Sequence, residues 1–245
     1  MKKNFRLVSV LLAVSAIVMI FAFKTVTRAP KILVFCKTSG FHHNSIAAGI
    51  VAIQKLGQEN NFEVDTTTDS TKFTEKNLHK YAAVVFLSTT GNVLGDEEQT
   101  AFEHFIESGK GYVGIHAATD TEYDWPWYNK LVGAYFKSHP KQQQATLNVV
   151  DSTFIATSHL PRVWKRFDEW YNFKSPQWQD VHVLITIDET SYTGGENGNF
   201  HPMSWYHSYD GGRAFYTELG HTDESYQDPM YLKHVLGGIE YAIGK

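Results

Sequence analysis

The chain reads as an α/β protein with a doubly wound, largely parallel sheet, extended in its C-terminal half by mixed or antiparallel strands. Three observations predict this. From Lys31 to Ala117 short apolar runs alternate with segments of helical period. Several of those runs are almost continuously apolar, as expected of strands covered on both faces. After Gln144 the strand-like runs follow one another through turns. Such alternation implies parallel strands joined by right-handed crossovers, with helices on both faces of the sheet.

KILVFCK is the first buried strand. Ser45 to Asn60 follows as a helix, with Ile46, Ile50, Ile53 and Leu56 on one face and Asn44 or Ser45 as its cap. FEVDTTTD is a second strand, Thr74 to Tyr81 a short connecting helix, and AAVVFLST a fully apolar third strand bounded by Gly91. Glu97 to Ser108 repeats the helical period and stops at Gly109, and GYVGIHA supplies the fourth strand. Gln144 to Val150, His182 to Ile187, Pro202 to Tyr206 and Arg213 to Leu219 are the later strands, with Asp210-Gly211-Gly212 as the turn between the last two. Met230 to Ile243 closes the chain as an amphipathic helix.

Residues 31–245 suit one domain with a large core. Hydrophobic residues make up 42% of the chain and charged residues 20%, with a net charge of -4, which disfavours both disorder and a nucleic-acid partner. Twelve histidines against one cysteine leave imidazole and carboxylate as the available site chemistry. Cys36 cannot form an intrachain disulfide and reads as a buried small hydrophobe. There is no internal repeat and no glycine-rich phosphate loop, so no nucleotide cofactor is expected. The oligomeric state is open, a homo-oligomer included.

Residues 1–30 have the layout of a secretory signal or signal anchor: Lys2, Lys3 and Arg6, then the apolar run Leu7 to Phe23, then a polar stretch to Pro30. An exported, periplasmic protein is expected, touching the membrane only if this segment is retained. No lipobox cysteine follows the run.

Three histidines stand where a predicted strand or loop gives way to polar residues: His116 in GYVGIHAATD, His139 in AYFKSHP and His221 in RAFYTELGHTDESY. Rigid strand ends aim side chains into crevices that loops can close, so this placement points to a site.

Six segments, GFHHNS (40–45), GYVGIHAATDT (111–121), GAYFKSHP (133–140), DEWYNF (168–173), PMSWYH (202–207) and GGRAFYTELGHTDESY (211–226), resemble in order and spacing the ThuA-like family of trehalose-utilisation proteins. The resemblance covers nearly all of Lys31 to Lys245. It implies the class I glutamine amidotransferase-like fold, a flavodoxin-like three-layer arrangement, and a role in glycoside metabolism. Where that fold carries an amidotransferase, a cysteine occupies the strained turn after a central strand. Here GIHAATD puts His116 at or beside that turn with no cysteine near it, so glutamine hydrolysis is not expected.

Strand-end placement and the family pattern together make His116, His139 and His221 a candidate ligand set for a divalent metal, zinc first, with Glu169 or Asp168 as fourth ligand or general base. Metal-free acid/base chemistry by His116, His221 and Glu169 uses the same residues and stays open. Of the adjacent pair His42 and His43, fold position favours His42 as the one lining the crevice. Aromatic residues crowd the loops and strand ends, and pyranose C–H faces stack on aromatic rings while polar groups take the hydroxyls. Asp120, Trp125, Trp170, Tyr171, Trp205 and Arg213 are therefore candidate sugar contacts, although each aromatic could equally be core. The resemblance implies a disaccharide or glycoside substrate, including one already oxidised to a keto sugar, for isomerisation, elimination or hydrolysis. A non-catalytic carbohydrate-binding protein using the same crevice is the alternative.

Overall fold

The computed structural model describes residues 29–245, so the expected leader lies outside the described residues except for Ala29 and Pro30. Among the described residues no helix is long and apolar enough to cross a membrane. The first half follows the expected alternation: β1 (Lys31–Phe35), α1 (Ile46–Asn60), β2 (Glu63–Thr67), α2 (Glu75–Leu78), β3 (Ala83–Leu87), α3 (Asp96–Glu107) and β4 (Gly111–Ile115). β1 pairs in parallel with β2 and β3, and β3 with β4. β3 and β4 are buried at every residue, because helices cover both faces. β2 is the edge strand, and its Glu-Val-Asp-Thr-Thr sequence is accordingly only half-buried. The helix read over Thr74 to Tyr81 contracts to the single turn α2, with the Thr74 hydroxyl accepting from the Asn77 N–H at 3.3 Å.

Ser45 does precede α1, but its hydroxyl makes no cap. It donates instead to the Gly220 carbonyl at 3.1 Å, tying the start of α1 to the loop that carries His221. The helix ends at Asn61, whose left-handed conformation lets its N–H reach the Gly57 carbonyl.

The second half is α4 (Pro126–Val132), β5 (Tyr135–Ser138), β6 (Gln143–Val149), β7 (Val163–Asp168), β8 (Asn172–Lys174), β9 (His182–Asp188), β10 (Pro202–Tyr209), β11 (Gly212–Thr217) and α5 (Pro229–Ile243). β11 lies parallel to β4; the β11–β10, β10–β9, β9–β6 and β6–β7 pairs are antiparallel. The nine strands run β2-β1-β3-β4-β11-β10-β9-β6-β7, while β5 and β8 form a separate antiparallel pair. The fold is thus the α/β, flavodoxin-like one expected, with the mixed extension on the C-terminal side. Asp210 and Gly211, with φ of 49° and 86°, make the two-residue turn between β10 and β11, a geometry matched to strand twist. Close packing of α5 on the sheet depends on Gly111, where an added Cβ would stand 2.1 Å from the Ala242 carbonyl oxygen.

Four elements were not expected from the sequence. α4 begins at Pro126 in its first turn, directly after Trp125. β7 alternates exposed and buried residues through VWKRFD, a half-buried strand carrying Lys165 and Arg166. β5 and β8 are four and three residues long, too short for a periodic signal.

Candidate active site

The carboxyl ends of β1, β4 and β11 converge with the end of β7, and there His43, His116, Glu169 and His221 each offer one donor atom, all lying within 4.8 Å of one another. This is the crevice position at which open α/β sheets place ligands. His116 is the first residue after β4. It is fully buried and takes φ of 50°, a left-handed conformation uncommon outside glycine and a frequent mark of functional turns. Its Nδ1 lies 2.7 Å from the Glu218 carbonyl oxygen, which only accepts, so Nδ1 carries a proton and Nε2 faces the group. That Nε2 is 3.1 Å from His221 Nδ1 and 3.6 Å from Glu169 Oε2. His221 Nδ1 is 3.0 Å from the same carboxylate oxygen.

His43 completes the group from the loop after β1. It is buried, its ring centre lies 4.8 Å from that of His116 and 5.2 Å from that of His221, and its Nδ1 has no hydrogen-bond partner. Burial, then repulsion from His116 and His221, holds its pKa down at about 2, so the ring is neutral. Burial alone would raise the Glu169 carboxyl, but hydrogen bonds and charge interactions with His116 and His221 outweigh it and keep the acid well below the usual range.

Two further carboxylates brace the group. Asp168 is fully buried and accepts from the Glu169 and His221 N–H groups at 3.1 Å, the Gly220 N–H at 3.2 Å and the Ser225 hydroxyl at 3.1 Å. It therefore fixes the backbones of two site residues and lies outside the four-residue group. Glu218 is also fully buried. Its Oε1 accepts from the Tyr171 N–H at 3.1 Å and lies 3.8 Å from His116 Nδ1, and burial followed by repulsion from Asp168 raises its carboxyl far above the usual range.

The group opens into a cleft of about 340 Å³, lined by His43, Glu169 and His221 together with Phe41, Asp120, Phe136, His139, Gln142 and Tyr171. This volume is at the lower end of small-molecule sites. Tyr171 packs at 4.3 Å against Phe136 and 4.5 Å against His116, while Phe41 stands 64% exposed at the rim. The Asp120 carboxyl is pushed up by burial, an effect opposed by the Tyr123 hydroxyl that donates to it.

The structure thus brings together His116, His221, Glu169, Asp120 and Tyr171, and it places His139 at the cleft with Nδ1 3.1 Å from Glu169 Oε1 but outside the four-residue group. Other sequence expectations fall elsewhere. His42 is exposed beside the Thr38 hydroxyl at 3.2 Å, and its neighbour His43 turns inward in its place. Trp125 packs in the core and donates to Glu103; Trp170 and Trp205 are fully buried and donate to the carbonyls of Gln143 and Val132. None of the three touches the cleft, because each indole is spent on the core. Arg213 lies at the opposite end of β11, bound to the Tyr241 and Ala242 carbonyls that end α5. Glu218 is a further buried carboxylate beside the group, and a carboxylate within the apolar run RAFYTEL is its sequence signal. Cys36 is buried with Sγ directed to the Thr67 carbonyl, so no thiol lines the cleft.

Fold and site together define a class I glutamine amidotransferase-like α/β domain with a histidine–carboxylate group at its strand ends. Residues 31–242 match the model of the ThuA family, described as trehalose utilisation, and the chain belongs to that family. Its structure is similar to a ThuA-like protein from Bacteroides uniformis, with 25% identity, a TM-score of 0.75, and 89% of this chain and 94% of that chain covered. A ThuA-like protein from Parabacteroides merdae is similar at 22% identity and a TM-score of 0.73, covering 88% and 90%. The β-galactosidase of Bacillus circulans shares the fold alone, at 10% identity and a TM-score of 0.55, over 87% of this chain and 30% of that one. Among curated proteins none matches.

Proposed function

We propose that this ThuA-family chain is an exported carbohydrate-processing enzyme acting on a glycoside or keto-glycoside, with His43, His116, Glu169 and His221 holding a divalent metal, zinc first. The observation that carries the metal is His43 Nδ1. A metal-free network satisfies the other three residues, with His221 Nδ1–H shared between Glu169 Oε2 and His116 Nε2, yet it leaves this buried nitrogen unpaired. Three imidazoles and one carboxylate fit the donor preference of zinc and neighbouring ions, and the Glu218 carbonyl on His116 Nδ1–H is the outer contact that orients a ligating imidazole. When bound, such an ion polarises a substrate oxygen or a water molecule.

The chain's own residues supply the rest. Phe41, Phe136 and Tyr171 offer apolar faces for a pyranose, with Asp120, Gln142 and His139 positioned for its hydroxyls. Cys36 is buried away from the cleft lining, which favours a sugar reaction over glutamine hydrolysis.

Elemental analysis of tag-free protein tests this reading. Near one divalent ion per chain is expected in the parent and in His42→Ala, and none in His43→Ala or His221→Ala. Absence of metal from all four, after supplying zinc and manganese, refutes it. Sugar binding that is unaffected by His221→Ala would then favour a non-catalytic carbohydrate-binding protein, a reading supported by the metal-free contacts among His116, His221 and Glu169.

A further inference from the structure

We infer that His139 is the residue that moves a proton to and from the bound sugar, oriented for it by Glu169, whose other oxygen serves the histidine group. This rests on the enzymatic reading above. The two oxygens of Glu169 are divided: Oε2 approaches His221 at 3.0 Å and His116 at 3.6 Å, while Oε1 lies 3.1 Å from His139 Nδ1. His139 Nδ1 is also 3.0 Å from the Pro140 carbonyl oxygen. A carboxylate and a carbonyl both accept only, so the neutral ring carries its proton on Nδ1 and keeps a lone pair on Nε2.

That assignment argues against His139 as a metal ligand, because the nitrogen nearest the group is the protonated one. It argues for a proton carrier. The side chain is 43% exposed, lines the cleft beside Tyr171 and Phe136, and its Nε2 has no hydrogen bond among the described residues. A carboxylate on one nitrogen with the other facing substrate is the arrangement in which a histidine base is held in one tautomer and its cation is stabilised as it forms.

In the step itself the Nε2 lone pair takes a proton from a C–H beside a ketone of the bound sugar. The electron pair of the broken C–H bond passes into the enolate, and the positive imidazolium is offset by Glu169. Nε2 then gives a proton, exchangeable with solvent, either to the neighbouring oxygen that departs as its C–O bond breaks and the enolate pair closes the C=C bond, or to the enolate carbon, leaving the ring neutral as it began.

The test follows trehalose and keto-trehalose by NMR in D2O, which reads bond cleavage and deuterium entry together, with metal content measured on the same samples. His139→Ala is expected to keep its metal, to lose kcat about 100-fold or more with KM within about threefold, and to recover partly with added imidazole. An active parent whose His139→Ala variant keeps kcat within about threefold overturns the assignment to His139 alone. Loss of metal in that variant also overturns it, returning His139 to the ligand set. A parent that binds metal but transforms neither sugar removes the enzymatic reading, and the role of His139 with it.

Discussion

Asp168→Asn should damage both the fold and the site, by an amount that the hydrogen bonds set. The carboxylate takes the N–H groups of Glu169 and His221 on Oδ1, and the Gly220 N–H and Ser225 hydroxyl on Oδ2. An amide keeps one oxygen and replaces the other with a donor. The least harmful orientation turns the NH2 toward Ser225, whose hydroxyl can rotate to accept, but it still leaves the buried Gly220 N–H facing another donor. An unpaired buried N–H costs about 1–3 kcal/mol, and loss of charge from the remaining bonds adds about 1–2 kcal/mol. Arg166, 3.6 Å away, retains Asp228 as a partner and limits the loss. About 2–5 kcal/mol in total should lower Tm by about 4–20 °C in a chain of this size. Urea and thermal unfolding measure it, and metal affinity should weaken by about 10–100-fold because the two N–H groups on Oδ1 belong to site residues. A variant within about 1 kcal/mol of the parent would refute the claim that Asp168 holds the two backbones.

The aromatic residues separate in the same way: Phe41→Ala should weaken sugar binding by about tenfold in calorimetry with little change in Tm, whereas Trp170→Phe and Trp205→Phe should lower Tm and leave affinity unchanged. Equal effects on binding from all three would contradict the cleft described above. Acid stability is set in part by His234 and His207, whose pKa values burial holds down at about 3 and about 4 against the ordinary 6.5. Their folded values lie below the unfolded one, so this stabilisation is complete above about pH 6.5 and is lost as pH falls toward those values, at about 1.4 kcal/mol per unit for each. Urea midpoints at pH 7, 6 and 5 should fall less steeply in His234→Gln than in the parent, and identical slopes would exclude His234 as a cause.

What the sequence made legible followed from residue periodicity. β1, β3 and β4 are buried on both faces and so are written as plain apolar runs, and His116 and His221 follow strands whose ends were visible. β7 was lost because a strand buried on one face hides in charged residues, and its Arg166 points inward to Asp228 and Ser225. The choice between His42 and His43 was beyond the sequence for a simpler reason: adjacent residues in an irregular loop have no period to say which faces inward. Trp125, Trp170 and Trp205 belong to the core and not to the cleft because an indole can spend its N–H on a main-chain carbonyl or a carboxylate as readily as on a sugar.

The position of Glu169 could not have been foreseen from strand order either. In the sheet, β7 stands five strands from β4, which in a flat sheet would separate their ends by about 24 Å. Yet Glu169, the residue after β7, reaches to 3.6 Å from His116, the residue after β4. The mixed half of the sheet must therefore curl back over the strand ends. A register irregularity between Pro202 and Trp205 interrupts the pairing of β10 with β9, and such bulges bend and twist the strand that carries them. The curl is then clasped from β7: Arg166 lies 5.2 Å from the Tyr231 ring and pairs with Asp228, and Asp168 holds the Gly220 and His221 backbones. The antiparallel extension is what converts three histidines gathered at β1, β4 and β11 into a four-residue site, because its far edge delivers the carboxylate.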